Sequence, residues 1–425
     1  MTKIFAMNVG GCVERWLDLN RIRSYLSKNN YILVDKPKDA DIIILVTCAA
    51  LNEVASSTLN IIKNFQKYNA KLIIGGCLPD IEPEKLSRIF NGETLATKEI
   101  DQKIERLFPP INNIKYCEIG DSNSVLGDVQ ESESTKFSKK NFEESSNKKN
   151  IRLRIRNYIL KNLFGEKSIT YKYHTEKRNL YHIRISWGCI GNCSFCITKK
   201  AIGSFKSKPF EECIQEFKKG LKAGYKNFII CSDDPGAYGA DINNSFSNLL
   251  DEMTNVEGDY NIMITGVSPV TLMNYIDDLE KILKKKKITA ILFPIQSGSS
   301  RILKLMHRYS DVEKMKDAFL RLKKSFPDLV LETQIILGFP TETFEDFKQS
   351  LNLVKECNFY SGYLYKFSCR PGTEAEKIEP KIPDEEMTKR LKYAKKFFRK
   401  EGYKMSYFKY GLSGLSKDMN IFHLK

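Results

Sequence analysis

An α/β protein in two parts is predicted from this chain of 425 residues: a doubly wound N-terminal domain, then a partial (β/α)6 barrel. Three observations carry the prediction. Strand-like and helix-like segments alternate over residues 1–80, and they alternate again from His182 for nearly 190 residues. In both stretches, cysteines and other chemistry-bearing residues fall just past the strand ends.

In chain order, the first stretch reads as a strand at Ile4 to Val9, a helix at Trp16 to Lys28, a short strand at Ile32 to Val34 and an apolar strand at Asp41 to Val46. A helix at Asn52 to Tyr68 and a strand at Leu72 to Ile74 follow. Cys12, Cys48 and Cys77 each lie just beyond a strand. In an open parallel sheet such loops share one crevice, so three cysteines distant in sequence are expected to converge on a three-thiolate site. The glycines at 10, 11, 75 and 76 are read as letting the backbone approach a bulky inorganic group. Three unrelated buried cysteines are the plain alternative. Helices at Pro83 to Phe90 and Ile100 to Leu107 are expected to finish a domain spanning 1–120.

Residues 121–150 turn to Ser, Glu, Lys and Asn and read as a flexible linker. Ile151 to Phe164 is a basic amphipathic element, so 121–178 is taken as linker and basic insertion. The barrel is placed at 179–380, with strands at Ile183 to Ser186, Phe228 to Ser232, Asn261 to Thr265, Ala290 to Pro294, Val330 to Leu337 and Tyr363 to Phe367. A lysine-rich helix at Glu385 to Lys400 opens a basic helical tail, 381–425.

Past the first barrel strand stands Ser186-Trp-Gly-Cys-Ile-Gly-Asn-Cys-Ser-Phe-Cys196, with Cys189, Cys193 and Cys196 at C-x3-C-x2-C spacing. A loop of this kind can hold three corners of an iron–sulfur cubane. A closed cluster or a structural zinc site asks for a fourth ligand, and no fourth Cys or His lies nearby. The open iron suits a small chelating molecule. A zinc knuckle or free cysteines are the alternatives.

Bulk properties narrow the class. Hydrophobic residues at 42% can fill real cores, and no run of 18 apolar residues appears. The N-terminus reads as a strand start rather than a signal peptide, so a cytoplasmic protein without membrane partners is expected. Eleven cysteines clustered in metal-type spacings argue for a reducing compartment. Cys117, Cys213, Cys231 and Cys357 are read as core or surface residues, with the role of Cys369 open. The net charge of +16 is uneven: residues 151–178 carry eight Lys/Arg against two Glu, and 387–425 carry eleven against two acids. Such stripes hold a phosphate backbone or an acidic peptide, or are simply solvated surface.

Taken together, the three spaced N-terminal cysteines, Gly188 to Ile197, Gly236-Ala-Tyr-Gly-Ala-Asp241, Gln296-Ser-Gly-Ser299, Met306-His-Arg-Tyr309, Gly338-Phe-Pro-Thr-Glu-Thr343 and Arg370-Pro-Gly-Thr373 form a pattern. It resembles the radical S-adenosylmethionine (SAM) methylthiotransferases, most of all the branch that modifies threonylcarbamoyladenosine in archaeal and eukaryotic tRNA. The resemblance covers residues 3–80 and 182–380. It implies two [4Fe-4S] clusters, one on Cys189, Cys193 and Cys196 that binds SAM, the other on Cys12, Cys48 and Cys77 that carries the sulfur to be inserted. SAM then serves as methyl donor and radical source, and an electron donor such as flavodoxin or ferredoxin is implied. Phe195 matches the aromatic beside the adenine. Gln296, Ser297, Gly298, Gly338 and Pro340 are expected to offer groups to the ribose and methionine parts, Asp233 or Asp234 to take the ammonium, and Arg308 and Arg370 to hold a carboxylate or phosphate.

The sequence departs from the family at its substrate-facing parts. The segment after Thr373 is too short for the family's RNA-gripping TRAM barrel, Ile202 stands where arginine is usual, and Cys369 where serine or proline is common. These departures turn the expectation toward methylthiolation of a peptide or protein side chain, with a modified adenosine of tRNA as the alternative. A non-catalytic iron–sulfur protein that moves electrons or binds RNA is a remote third reading.

Overall fold

The computed structural model describes residues 2–121, 158, 161–162, 164–169, 172, 180–407 and 419–424. The linker expected at 121–150 and the basic element at 151–164 lie almost wholly outside the described residues. Those that are described divide into two units, the first built from residues up to 121 with Ile197–Ser204, the second from the remainder.

The first unit is a five-stranded sheet of β1 (Lys3–Val9), β2 (Ile32–Leu33), β3 (Ile42–Thr47), β4 (Lys71–Gly76) and β5 (Glu93–Ala96), ordered β2-β1-β3-β4-β5 with every pair parallel. Alternation along the strands fills both faces. Phe5, Met7, Ile43, Leu45, Leu72 and Ile74 pack on one side with Ile62 of the helix Asn52–Phe65. Ile4, Ala6, Ile44, Val46 and Ile73 pack on the other with Leu19 and Ile22 of the helix Val13–Lys28 and Ile104 of the helix Ile100–Leu107. This is the doubly wound arrangement, and its strand order reverses between β1 and β3. The short β5, Glu-Thr-Leu-Ala, offers too little alternation to be read from sequence, and it lies in a stretch read as helix alone. The helix expected over Pro83 to Phe90 is two short pieces, Leu78–Ile81 and Pro83–Ser87, since Pro83 cannot continue the hydrogen bonding of the first.

In the second unit β6 (Leu180–Arg184), β9 (Asn227–Cys231), β10 (Asn261–Ile264), β11 (Ile288–Gln296), β12 (Val330–Leu337) and β13 (Ser361–Lys366) run parallel in that order, giving the six-stranded partial barrel. Two short strands, β7 (Ser186–Trp187) and β8 (Lys206–Ser207), pair antiparallel at the base of the cysteine loop. The core runs through Ile183, Phe228, Ile262, Phe293, Leu331 and Leu364. Pro294 interrupts β11: the register shifts between Phe293 and Gln296, because proline has no N–H for the ladder.

The C-terminal segment, expected as a helical tail, is helical over Asp384–Lys400 and then becomes β14 (Tyr403–Tyr407) and β15 (Met419–Leu424). β15 pairs antiparallel with β13 and β14 with β15. The edge of β13 is thereby covered, with Ile421 and Phe422 buried. Their apolar signal is short and isolated in sequence, and it acquires meaning only beside β13.

Candidate active site

In the first unit the three cysteines stand at the carboxyl ends of three neighbouring strands. Cys12 follows β1 at the start of the helix Val13–Lys28, Cys48 follows β3 and Cys77 follows β4. The ladder continues through them: the Cys48 N–H donates to Val9 O at 3.3 Å and the Cys77 N–H to Thr47 O at 2.9 Å. Cys48 and Cys77 are buried and Cys12 is exposed. All three thiols lie within electrostatic reach of one another. Burial pushes the Cys48 thiol up to about 11, Cys77 adding to the rise. Burial also raises Cys77, opposed by the guanidinium of Arg15.

Arg15 is a site residue that sequence reasoning missed. Its Nη1 donates to Cys77 Sγ at 3.4 Å and to Thr97 Oγ1 at 2.6 Å, while its Nε pairs with Asp18 at 2.9 Å. One signal was available, since a cation in the first turn of a helix opposes the dipole and calls for a local anion. Asn8 at the end of β1 accepts the Gly11 N–H at 2.7 Å, and its buried Nδ2 has no hydrogen-bond partner among the described residues. Two of the glycines are also held by close packing. A Cβ on Gly11 would strike Asn8 and Arg15, and Gly76, at φ +87°, lies against the backbone of Thr47.

In the second unit the Cys189–Cys196 loop leaves β7 and is fastened to the segment after β11. Ser194 donates to Leu305 O at 2.7 Å, its N–H to Met306 O at 3.2 Å, and its carbonyl accepts the Ala375 N–H at 2.9 Å. Phe195 packs against Ile302, Met306, Phe339 and Ala375, which makes it an anchor of the loop. Gly191 donates its N–H to Cys189 Sγ at 3.2 Å.

Around this loop a set of buried polar atoms faces inward. Asp234 Oδ2 accepts from Cys189 Sγ at 3.8 Å, and Asp234 Oδ1, Tyr275 Oη, Ser232 Oγ and Arg308 Nε have no partner among the described residues. Asp234 is 3% exposed and Asp233 is half-buried, so the structure singles out Asp234 of the two. Burial lifts its carboxyl to about 6, with Arg308 opposing. Burial and the neighbouring Asp234 together push the Cys189 thiol up to about 12. Arg308 donates to Cys193 Sγ at 3.5 Å and to Pro294 O at 2.5 Å, a carbonyl near the irregularity that Pro294 makes in β11.

The remaining expected ligand groups divide. Gln296 is buried and in the left-handed region at φ +68°. Ser297 is fully buried against Ser350, and a Cβ on Gly298 would lie 2.5 Å from Gln349 O. The Gly338 N–H is occupied by Glu342 Oε2 at 2.7 Å, and Glu342 is held by Arg390 at 2.7 Å. Ser297, Gly298 and Gly338 thus also fit helices to strands. Pro340 and Arg370 are both buried, Arg370 only 2% exposed, its carbonyl accepting from Thr373 Oγ1 at 2.8 Å. Cys213, Cys231 and Cys357 are buried, and Cys117 and Cys369 exposed. Ile202 is buried, and its neighbours Ile197 and Ala201 belong to the core of the first unit.

The donor chemistry fits iron–sulfur clusters. Each trio supplies three thiols with cationic or N–H donors at sulfur, and iron binding would provide the charge that buried thiolates need. Among the described residues no three ligating side chains close on a single ion. A cubane asks for a different arrangement, one thiolate on each of three irons.

Comparisons with known proteins agree. Residues 183–354 match the radical SAM superfamily, and residues 4–96 match uncharacterized protein family UPF0004. A tRNA-2-methylthio-N(6)-dimethylallyladenosine synthase of Clostridium botulinum is 30% identical over 402 residues, covering 91% of this chain and 79% of that one. A probable threonylcarbamoyladenosine tRNA methylthiotransferase of Pyrococcus horikoshii is 27% identical over 379 residues, covering 89% and 79%. Among solved structures, the radical SAM methyltransferase TsrM of Kitasatospora setae, with cobalamin and a [4Fe-4S] cluster bound, superposes with a TM-score of 0.58 at 12% identity, covering 88% of this chain and 77% of that chain, a likeness of fold. With both sequence regions and a relative at that identity over most of its length, the chain belongs to the radical SAM methylthiotransferases.

Proposed function

We propose that the protein methylthiolates a modified adenosine of tRNA. The observation that carries this reading is the pair of cysteine trios, each at strand carboxyl ends, in a chain whose relatives are named for tRNA adenosines. The expectation of a peptide substrate rested on the departures at Ile202, Cys369 and the short segment after Thr373, whereas the relatives are named for tRNA adenosines. That segment forms a cationic helix and two strands that extend the barrel sheet, and its cations offer a grip on RNA in place of the TRAM barrel.

In this reading Cys189, Cys193 and Cys196 hold the cluster that binds SAM, and Cys12, Cys48 and Cys77 hold a second, sulfur-carrying cluster. When bound, these groups would supply the radical, methyl-transfer and sulfur-transfer chemistry of the reaction. The chain's own residues orient and shield. Asp234, a buried carboxylate beside Cys189, would hold the ammonium of SAM, and Arg308 places its cation beside Cys193. Gln296 offers its side chain to the ribose or methionine part, and Phe195 pins the loop. At the first trio Arg15 donates to Cys77 and keeps a positive charge at the sulfur. A reduced flavodoxin or ferredoxin provides the electron.

The net change at the substrate is replacement of C–H by C–S–CH3. Anaerobic incubation of cluster-reconstituted protein with SAM, reductant, a sulfide source and tRNA lacking the methylthio group, followed by nucleoside mass spectrometry, is expected to show one CH2S unit added to a modified adenosine. Gain of CH2S on a peptide and none on tRNA would return the reading to a peptide.

A further inference from the structure

The helix Asp384–Lys400 carries its acids in the first turn, Asp384, Glu385 and Glu386, and cations thereafter. Its inner side is fixed. Arg390, Ala394 and Phe398 are buried, Arg390 bonds Glu342, and Met387 lies against Gly338 in the turn that follows β12. Lys366 at the end of β13 pairs with Asp384 at 2.7 Å. The helix therefore starts at the strand-end face of the barrel, where the Cys189 loop also lies, and runs back along the outside.

At ~100° per residue, from 3.6 residues per turn, Lys389, Lys392, Lys395, Lys396, Arg399 and Lys400 fall on one side, opposite Arg390, Ala394 and Phe398. All six are exposed. Lys389 pairs with Glu385 at 3.1 Å. The other five have no acidic partner among the described residues, whereas exposed lysines of other helices such as Lys281 and Lys314 do. The stripe is ~16 Å long at ~1.5 Å per residue, enough to follow several phosphates of a nucleic-acid strand.

We infer that this helix face is a docking surface for the tRNA sugar-phosphate backbone, gripping the RNA beside the barrel mouth. The inference rests on the tRNA reading above for its choice of RNA. A rigid row of unneutralised cations binds phosphates without base preference and positions rather than specifies. The nucleoside to be modified is then presented to the strand ends by the part of the RNA that extends past Lys389.

The test compares two charge-matched variants of the full chain by filter binding of a tRNA transcript at several salt concentrations. One is Lys392→Gln, Lys395→Gln, Lys396→Gln, Arg399→Gln. The control is Lys218→Gln, Lys219→Gln, Lys222→Gln, Lys284→Gln, exposed lysines elsewhere on the second unit. The slope of log affinity against log salt falls by about 0.9 for each phosphate that is no longer neutralised. The helix variant is expected to show a slope smaller by about two or more and an affinity weaker by roughly tenfold, the control much less of either, with melting temperatures alike. Equal effects in both variants, or none in the helix variant, overturn the docking surface. Nucleoside analysis with wild-type protein and the helix variant reports separately on the reaction: tRNA bound through the helix and never modified by wild type sinks the proposed reaction and leaves the surface, and tRNA modified by wild type while the helix variant binds it with unchanged affinity and slope does the reverse.

Discussion

Arg15 donates from Nη1 to the sulfur of Cys77 at 3.4 Å, from inside the first turn of a helix whose dipole disfavours a cation there. Its Nε pairs with Asp18 at 2.9 Å, and both residues are buried. Such a cation is tolerated where anions surround it, and a thiolate at Cys77 adds one. Arg15→Gln leaves the Asp18 carboxylate without its guanidinium and is expected to destabilise the protein by about 3–5 kcal/mol. Arg15→Gln with Asp18→Asn should recover most of the loss. Urea denaturation of the two variants tests this; a single variant as stable as wild type contradicts it.

Iron content tests the separation of the two trios. Anaerobically reconstituted protein should carry about eight irons, and replacement of Cys12, Cys48 and Cys77 by Ala should remove about half. The triple variant is still expected to cleave SAM to 5′-deoxyadenosine under reduction, while sulfur insertion stops. Full iron content in the folded variant would show the first trio misassigned.

Gly298 separates packing from ligand binding. A Cβ there lies 2.5 Å from Gln349 O and 2.7 Å from Ser350 Cα, both backbone atoms of one helix. Gly298→Ala is expected to cost about 1–3 kcal/mol through overpacking. Thermal melting without SAM should already reveal the loss, and an unchanged melting temperature with weakened SAM binding would favour direct contact instead.

Glu332 supplies a pH dependence. It is buried on β12, accepting the Ile169 N–H at 2.8 Å and the Ser361 hydroxyl at 3.0 Å, and burial pushes its carboxyl up to about 7 from 4.5. Because the folded state holds this proton more tightly than the unfolded state, stability falls as pH rises between those values. Glu332→Gln keeps both acceptor bonds and lacks the ionisation. Relative to wild type it should gain stability from pH 5 to pH 8 by up to about 3 kcal/mol. A difference that is the same at both pH values would sink this assignment.

Much of the architecture was legible in the residues. The near-continuous apolar run Ile4 to Val9 reports a strand buried on both faces, since side-chain direction has period two and each face must meet a core. The strand-end position of Cys12, Cys48 and Cys77 follows from local reading plus the topology of an open parallel sheet. No helix among the described residues is long and apolar enough to cross a membrane, as the composition implied.

What depended on tertiary structure is what depends on neighbours distant in sequence. The short β5, β14 and β15 have too few residues for a period, and each is defined by the strand it pairs with. The choice of Asp234 over Asp233 is one of burial. Gly298 and Gly338, expected from sequence at a ligand, are also close against the helices Phe344–Glu356 and Asp384–Lys400, a packing role that no local segment reveals. Arg15 becomes part of a site only because β1 and β4 bring positions 62 residues apart within hydrogen-bond range. Sequence by itself determined the spacing of the thiols and hence the chemistry. The tertiary structure decided which polar groups surround them, because burial and hydrogen bonding are properties of packed surfaces that no local segment contains.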